Sequence, residues 1–310
     1  MNDVPTTTTN THWAECLRRG EQPSQADLRE HLLHVHRHHA GFTESCAKRC
    51  RNADGRNSYD LLVDVIDVHR HRTVLDLACG SGALIALCHQ RHRSKITLIG
   101  VDMSTDELAL ARQRIPEETL RLHCGMAQDM GFIADASIDV VLCHWALTLM
   151  DPIEPVLSEV RRALRPGGIF AAIIDGEMAA APGYGELNDL IFRWVEREYP
   201  GYREIDLGDA RVRSAAALTA LANRAFQPAN VRIEPAVVTL SAAPDVLARE
   251  AVGFFYASFV LSPPSHERML REIEAFFADR GLENHSHFAM PINRLVVGPM
   301  PHSEPLGSIN

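Results

Sequence analysis

Apolar positions change rhythm at residue 73. Beyond it, strand-length runs rich in Val, Ile and Leu recur at 73–77, 96–101, 120–124, 138–143 and 169–174. The stretches between them, such as 106–114 and 153–164, repeat their apolar residues at helical spacing. This alternation predicts an α/β fold, a mostly parallel sheet covered by helices on both faces, with ligands bound outside the carboxyl ends of the strands. Upstream the pattern is helical throughout. Residues 24–39 carry Leu28, Leu32, Leu33 and Val35 among charges, 43–51 form a second helix, and 59–68 form a third after a turn at 53–57. Residues 1–23 are polar and threonine-rich at their start and predict a disordered or loosely attached tail.

After residue 176 the spacing predicts a helix over 184–199, with Leu187, Leu190, Ile191, Trp194 and Val195 as its apolar stripe. A helix over 214–225, a strand over 231–240, helices over 244–260 and 264–280, and a closing strand over 288–297 follow. No internal repeat interrupts this order. The organisation predicted is an N-terminal helical lid over 24–70, one catalytic domain over 71–300 with cap insertions at about 178–213 and 243–282, and a tail at 301–310.

The sharpest local pattern is Val74-Leu75-Asp76-Leu77-Ala78-Cys79-Gly80-Ser81-Gly82, followed by Ala83-Leu84-Ile85-Ala86-Leu87. It reads as strand, tight turn, helix. Gly80 and Gly82 allow unusual backbone angles and close approach of a ligand, and the helix start offers unpaired amide donors. Asp102 ends the next apolar run twenty residues after Gly82. A polar ligand is expected at this turn.

Composition narrows the class. Of 310 residues 46% are hydrophobic, which suffices for a large core, and 31 basic against 40 acidic residues give a net charge of -9. That balance leaves no electrostatic footprint for nucleic acid. No apolar run reaches membrane-spanning length and the N-terminus has no apolar signal region, so the prediction is a soluble cytoplasmic protein with no membrane or nucleic-acid partner, for which a homodimer is one open assembly. Seven cysteines sit mostly in apolar segments, as buried thiols do. Cys46 and Cys50 lack the third cysteine of an iron–sulfur cluster motif, since position 53 is Ala53. His31, His34 and His38 share a helical face without a carboxylate or cysteine at ligand spacing, so a solvated face is the reading and no metal is predicted.

Four segments in order carry a family resemblance: 74–82, Ile99-Gly100-Val101-Asp102-Met103-Ser104, residues 125–132, and Arg165-Pro166-Gly167-Gly168. The chain resembles the class I, seven-stranded, Rossmann-like S-adenosylmethionine-dependent methyltransferases, closely over residues 73–176 and in general layout outside them. The resemblance implies S-adenosyl-L-methionine as cofactor. Asp76 would accept bonds from the glycine loop and from the ammonium of the methionine moiety. Ala78, Gly80 and Gly82 would form the cradle, Asp102 would accept the ribose hydroxyls, and Met103 would flank the adenine. Where the family often carries an acid this chain has Met126, so backbone groups of Met126 and Ala127, or the side chains of Gln128 or Asp129, are expected to meet the adenine. Cys143 brings backbone near the sulfonium, and Tyr59 is a further contact from the lid.

The acceptor side is less typed. His144, next to Trp145, is a candidate general base, since imidazole titrates near neutrality, with acceptor positioning or plain packing as its alternatives. Tyr184, Arg193, Tyr199, Tyr202, Arg203 and Tyr256 are candidates for binding a small carboxylate-bearing acceptor, with solvated ion pairs as the alternative for the arginines. The activity implied is methyl transfer to a small molecule such as an amino acid or secondary metabolite, on oxygen, nitrogen, carbon or sulfur, releasing S-adenosylhomocysteine. A thioether acceptor such as methionine would need no base. A nicotinamide-dependent oxidoreductase is disfavoured because the third glycine of that pattern would fall at Ile85 and because Asp76 would repel pyrophosphate. A catalytically silent scaffold is the third alternative.

Overall fold

The structure, a computed structural model, describes residues 11–115, 120–282 and 285–300. Residues 1–10 of the tail predicted over 1–23, and the whole tail predicted over 301–310, lie outside the described residues. Strands β1 (Thr73–Leu77), β2 (Thr97–Asp102), β3 (Leu120–Cys124), β4 (Ile138–His144), β5 (Leu164–Asp175), β6 (Val231–Ala242) and β7 (Ser286–Val297) form one seven-stranded sheet in the order β3-β2-β1-β4-β5-β7-β6. β1 runs parallel to β2 and β4, β2 to β3, and β4 to β5. Chain order reverses between β1 and β4. The crevice beyond their carboxyl ends is where such sheets take ligands.

The chain divides into two compact units. The second takes Tyr59–Asp175, Gly208–Pro235 and the chain from Asn293 on. Its crossover helices are α5 (Ala83–His92), α6 (Thr105–Arg114) and α7 (Ile153–Ala163). α7 buries Ile153, Val156, Leu157, Val160 and Ala163, a helical stripe, against a core that includes Leu75, Val141 and Phe170 of the central strands. Each of the larger side chains among these contributes roughly 1.5–3 kcal/mol of burial, which fastens α7 to the sheet. α4 (Ser58–Val63) and α9 (Ala215–Phe226) complete the helices named for this unit.

The first unit takes the chain up to Ser58, Gly176–Leu207 and Ala236–Ile292. Much of the segments read from sequence as lid and caps is therefore gathered in one unit of its own. Its helices are α1 (His12–Arg18), α2 (Gln25–His38), α3 (Glu44–Arg49), α8 (Tyr184–Glu198), α10 (Pro244–Phe254) and α11 (Pro263–Ala278). In the described part of the segment predicted as a loose tail, α1 is an ordered helix instead. Thr11 caps it by accepting from Ala14 N–H at 3.3 Å, and Trp13, 1% exposed, stacks on His31 of α2 with ring centroids 4.2 Å apart. Seven residues are too few to show a helical period, and burial of one indole orders them.

The helix predicted over 244–260 ends at Phe254, and a 3₁₀ turn follows over Tyr256–Val260. Among the described residues, no helix is long and apolar enough to cross a membrane.

Candidate active site

The turn after β1 is built from left-handed backbone. Ala78, Gly80 and Gly82 have φ of 55°, 51° and 81°. Ala78 holds that conformation against its Cβ, a cost of order 1 kcal/mol or more that folded surroundings must supply. At Gly82 a side chain is excluded twice, by φ and because an added Cβ would lie 2.9 Å from the Cβ of Ala111 on α6. The turn thereby presses on α6 and opens directly into α5, whose first turn has no side-chain cap.

Two carboxylates face this turn with different fates. Asp102, the last residue of β2, accepts from Gly80 N–H and from Ser104 N–H, both at 2.8 Å. It thus fixes the glycine turn to the start of α6. The sequence assigns that bond to Asp76. Asp76 instead is 3% exposed and neither carboxylate oxygen has a hydrogen-bond partner. Burial first, and then the negative charge of Asp102, push its carboxyl well above the ordinary range. A buried carboxylate without donors is costly, so the fold holds here an acceptor built for a donor that none of the described residues provides.

Met103 follows Asp102 and is half-buried, as are Met126 and Gln128, while Ala127 is buried. Gly125 N–H donates to the Asp102 carbonyl at 3.0 Å, which draws the loop carrying these three residues to the end of β2. Cys143 is fully buried and burial pushes its thiol up to about 12, so it is an inert wall.

At the ends of β4 and β5 the second unit assembles an aromatic and charged cluster. Tyr59 stacks on the His144 ring with centroids 3.9 Å apart, and Trp145 meets the same ring edge-on at 4.9 Å. Dense protein around the imidazole lowers its pKa from 6.5 to about 3, although the residue retains some surface. His144 is therefore neutral across the physiological range, where the sequence predicts a group titrating near neutrality. As a base it is correspondingly weaker than ordinary imidazole. Trp145 has φ 57°, a rare conformation for a bulky residue. Its indole N–H donates to Asp175 Oδ1 at 3.1 Å, and Arg213 lies 3.9 Å from Asp175 Oδ2. Burial raises the Asp175 carboxyl, against the pull of Arg213 and the Trp145 bond. Strained backbone held by a partly buried polar contact is a mark of a functional position.

Asp175 was not among the residues the sequence proposes. Its signal was available: it ends β5 as Asp102 ends β2 and His144 ends β4. The fold thus gathers Asp76, Asp102, His144 and Asp175 at carboxyl ends of adjacent strands.

The remaining acceptor candidates lie in the first unit, where most are held by protein groups, while the buried Tyr202 hydroxyl has no hydrogen-bond partner among the described residues. Tyr199 is fully buried, accepting from Arg18 at 2.9 Å and donating to the Val260 carbonyl at 2.8 Å. Tyr202 is buried edge-on to Trp13. Arg193 pairs with Glu272, and Arg203 with Asp189 and Glu196. Tyr184 packs against Phe255 and Phe288, and the Tyr256 hydroxyl bonds His36 Nε2 at 2.8 Å. Each of these side chains meets protein groups in the structure, and both arginines form ion pairs of the kind the sequence offers as the alternative to acceptor binding.

The strand order, the glycine turn and the carboxylates at the strand ends define the class I methyltransferase fold. Residues 75–172 match the family described as a methyltransferase domain. The central part of the chain thus resembles a methyltransferase domain, set in a sheet with the class I methyltransferase strand order. A demethylmenaquinone methyltransferase of Symbiobacterium thermophilum is 35% identical over 104 residues, covering 32% of this chain and 41% of that protein. The uncharacterized methyltransferase sll0829 of Synechocystis is 32% identical over 117 residues, covering 37% of this chain and 52% of that one. The chain spans about half the length of the curated relatives it matches. The YcgJ protein of Bacillus subtilis shares the fold with a TM-score of 0.52 at 17% identity, over 80% of this chain and 99% of that one.

Proposed function

We propose that the protein is an S-adenosylmethionine-dependent methyltransferase acting on a small organic acceptor. The observation that carries this reading is the buried, donor-less carboxylate of Asp76 beside the left-handed glycine turn. A cationic amino group answers its charge and its empty acceptor sites, and a phosphate would be repelled. Gly80 and Gly82 let backbone approach the bound group, Asp102 keeps the turn in place and is the carboxylate placed to meet ribose hydroxyls, and Met103, Met126 and Ala127 line the adenine end. The cofactor supplies a methyl group already activated on sulfonium, so the chain's own task is alignment and exclusion of water.

On the acceptor side, neutral His144, held between Tyr59 and Trp145, orients the acceptor by hydrogen bonding instead of removing its proton. This suits an acceptor whose nucleophilic atom needs no strong base. The name of the demethylmenaquinone methyltransferase supports a small organic molecule as the acceptor class. The test is calorimetric titration with S-adenosylmethionine and S-adenosylhomocysteine, alongside incubation with methyl-labelled cofactor and a metabolite pool read by mass spectrometry. Micromolar-range binding that Asp102→Ala weakens at least about tenfold is the expected result, since each hydrogen bond to a charged group contributes roughly 1.5–3 kcal/mol. Binding unchanged by Asp102→Ala refutes the assignment.

A further inference from the structure

We propose that His12, Cys16 and Asp27 form a divalent-metal site, suited to zinc, that ties α1 to α2 in the first unit. One ligand atom from each residue lies within 4.8 Å of the other two. No other group of His, Cys, Asp and Glu comes together this way among the described residues.

Local structure explains the convergence. His12 and Cys16 are four residues apart on α1, which places both on one face, with Cys16 Sγ 3.7 Å from His12 Nδ1. Asp27 is likewise four residues before His31 on α2, and His31 is the residue on which Trp13 stacks. The Trp13–His31 contact, reinforced by a 3.1 Å bond between Thr11 Oγ1 and His31 Nδ1, sets the register that brings Asp27 opposite His12 and Cys16. Zinc bonds of about 2.0–2.3 Å at tetrahedral angles hold N and S donors roughly 3.5 Å apart, so the His12–Cys16 spacing is already within a few tenths of an ångström of the need. About 1 Å of side-chain rotation closes the widest gap that the cluster allows.

The chemistry is matched as well. Imidazole, thiolate and carboxylate are the donors zinc takes, and three protein ligands leave a fourth position for water. Asp27 binds Ser24 N–H and Oγ through Oδ2 alone, at 2.8 and 2.6 Å, which leaves Oδ1 for the ion. Arg19 donates to Cys16 Sγ at 3.7 Å, and its Nε already rests on Glu21 at 3.0 Å, so Glu21 keeps the guanidinium when the metal takes the sulfur. On binding, the Cys16 S–H bond breaks, the S–metal bond forms, and the proton leaves to solvent.

Titration of the reduced full chain with Co²⁺, then Zn²⁺, reads the site. Cobalt on a thiolate gives a charge-transfer absorption that histidine and carboxylate sites lack, which separates this site from weak binding at the chain's other histidines. The expected result is a band that saturates at one equivalent, is removed by zinc, and is absent in Cys16→Ser. Cys124→Ser, at the exposed cysteine, is expected to leave it intact. His12→Ala is expected to weaken affinity at least about tenfold, the scale on which ligand environments act. No band, a band that survives Cys16→Ser, or one lost with Cys124→Ser overturns the proposal. Because Cys16 is buried, circular dichroism checks that Cys16→Ser is folded; should it not be, His12→Ala at its exposed position decides, and unchanged affinity there overturns the site.

Discussion

Replacing Asp76 by Asn is expected to stabilise the ligand-free protein at neutral pH while removing cofactor binding. An ordinary aspartate carboxyl, at 3.8, is ionised far below pH 7, whereas burial and Asp102 hold this one well above that value. Folding above the ordinary carboxyl range therefore costs free energy, whether the carboxyl keeps its proton or buries its charge. The cost is about 1.36 kcal/mol for each pH unit between 3.8 and the folded value, and at pH 7 it cannot exceed about 4 kcal/mol. The sign follows from proton counts. Below 3.8 both states are protonated and the group contributes no pH dependence; above it the folded state holds more protons than the unfolded one, so stability falls as pH rises. Asn has the same shape and no charge, so the penalty disappears. Urea unfolding of wild type and Asp76→Asn without ligand should show the variant more stable by up to about 4 kcal/mol at pH 7, with the gap closing toward pH 4. A variant that is less stable at pH 7, or a gap independent of pH, would show that the carboxylate is satisfied and the argument for a cationic ligand is wrong. Conversely, S-adenosylmethionine should raise the melting temperature of wild type and leave that of Asp76→Asn unchanged.

Two other outcomes test separate parts of the site. Gly82→Ala meets both the φ of 81° and the Ala111 Cβ at 2.9 Å, so it should cost about 1–3 kcal/mol in thermal unfolding and distort the cofactor turn, whereas a neutral effect would mean that α6 shifts freely. His144 carries a proton near 6.5 when unfolded and only near 3 when folded, so it makes stability fall as pH drops through that window, by about 1.36 kcal/mol per pH unit. In His144→Phe that slope should be missing relative to wild type between pH 6 and pH 4. If the orienting role is also right, the pH dependence of kcat above pH 5 should be unchanged in form while KM for the acceptor rises.

The central strands and the glycine turn were legible from the chain alone, because fully buried parallel strands write themselves as uninterrupted runs of Val, Ile and Leu. β1 and β3 fall at their predicted bounds, and β2 and β4 within one residue at each end. Asp76, Asp102 and His144 were legible for the same reason, since a titratable residue at the end of such a run must lie at a carboxyl edge. Asp175 sits at an equivalent edge and was passed over, because nothing in its neighbourhood repeats a known turn.

What tertiary structure alone decided is how those groups are used. Sequence places Asp76 and Asp102 near one turn, but only the fold shows that Asp102 takes the Gly80 N–H and leaves Asp76 buried without a donor. Sequence offers His144 as an ordinary imidazole, and the packing of Tyr59 and Trp145 around it turns it into a neutral one. The N-terminal segment shows the limit most plainly. His12 and Cys16 are spaced on one short helix and Asp27 belongs to another, and no periodicity links them. Their proximity comes from Trp13 burying itself on His31, a contact eighteen residues apart that burial free energy selects and local spacing does not encode.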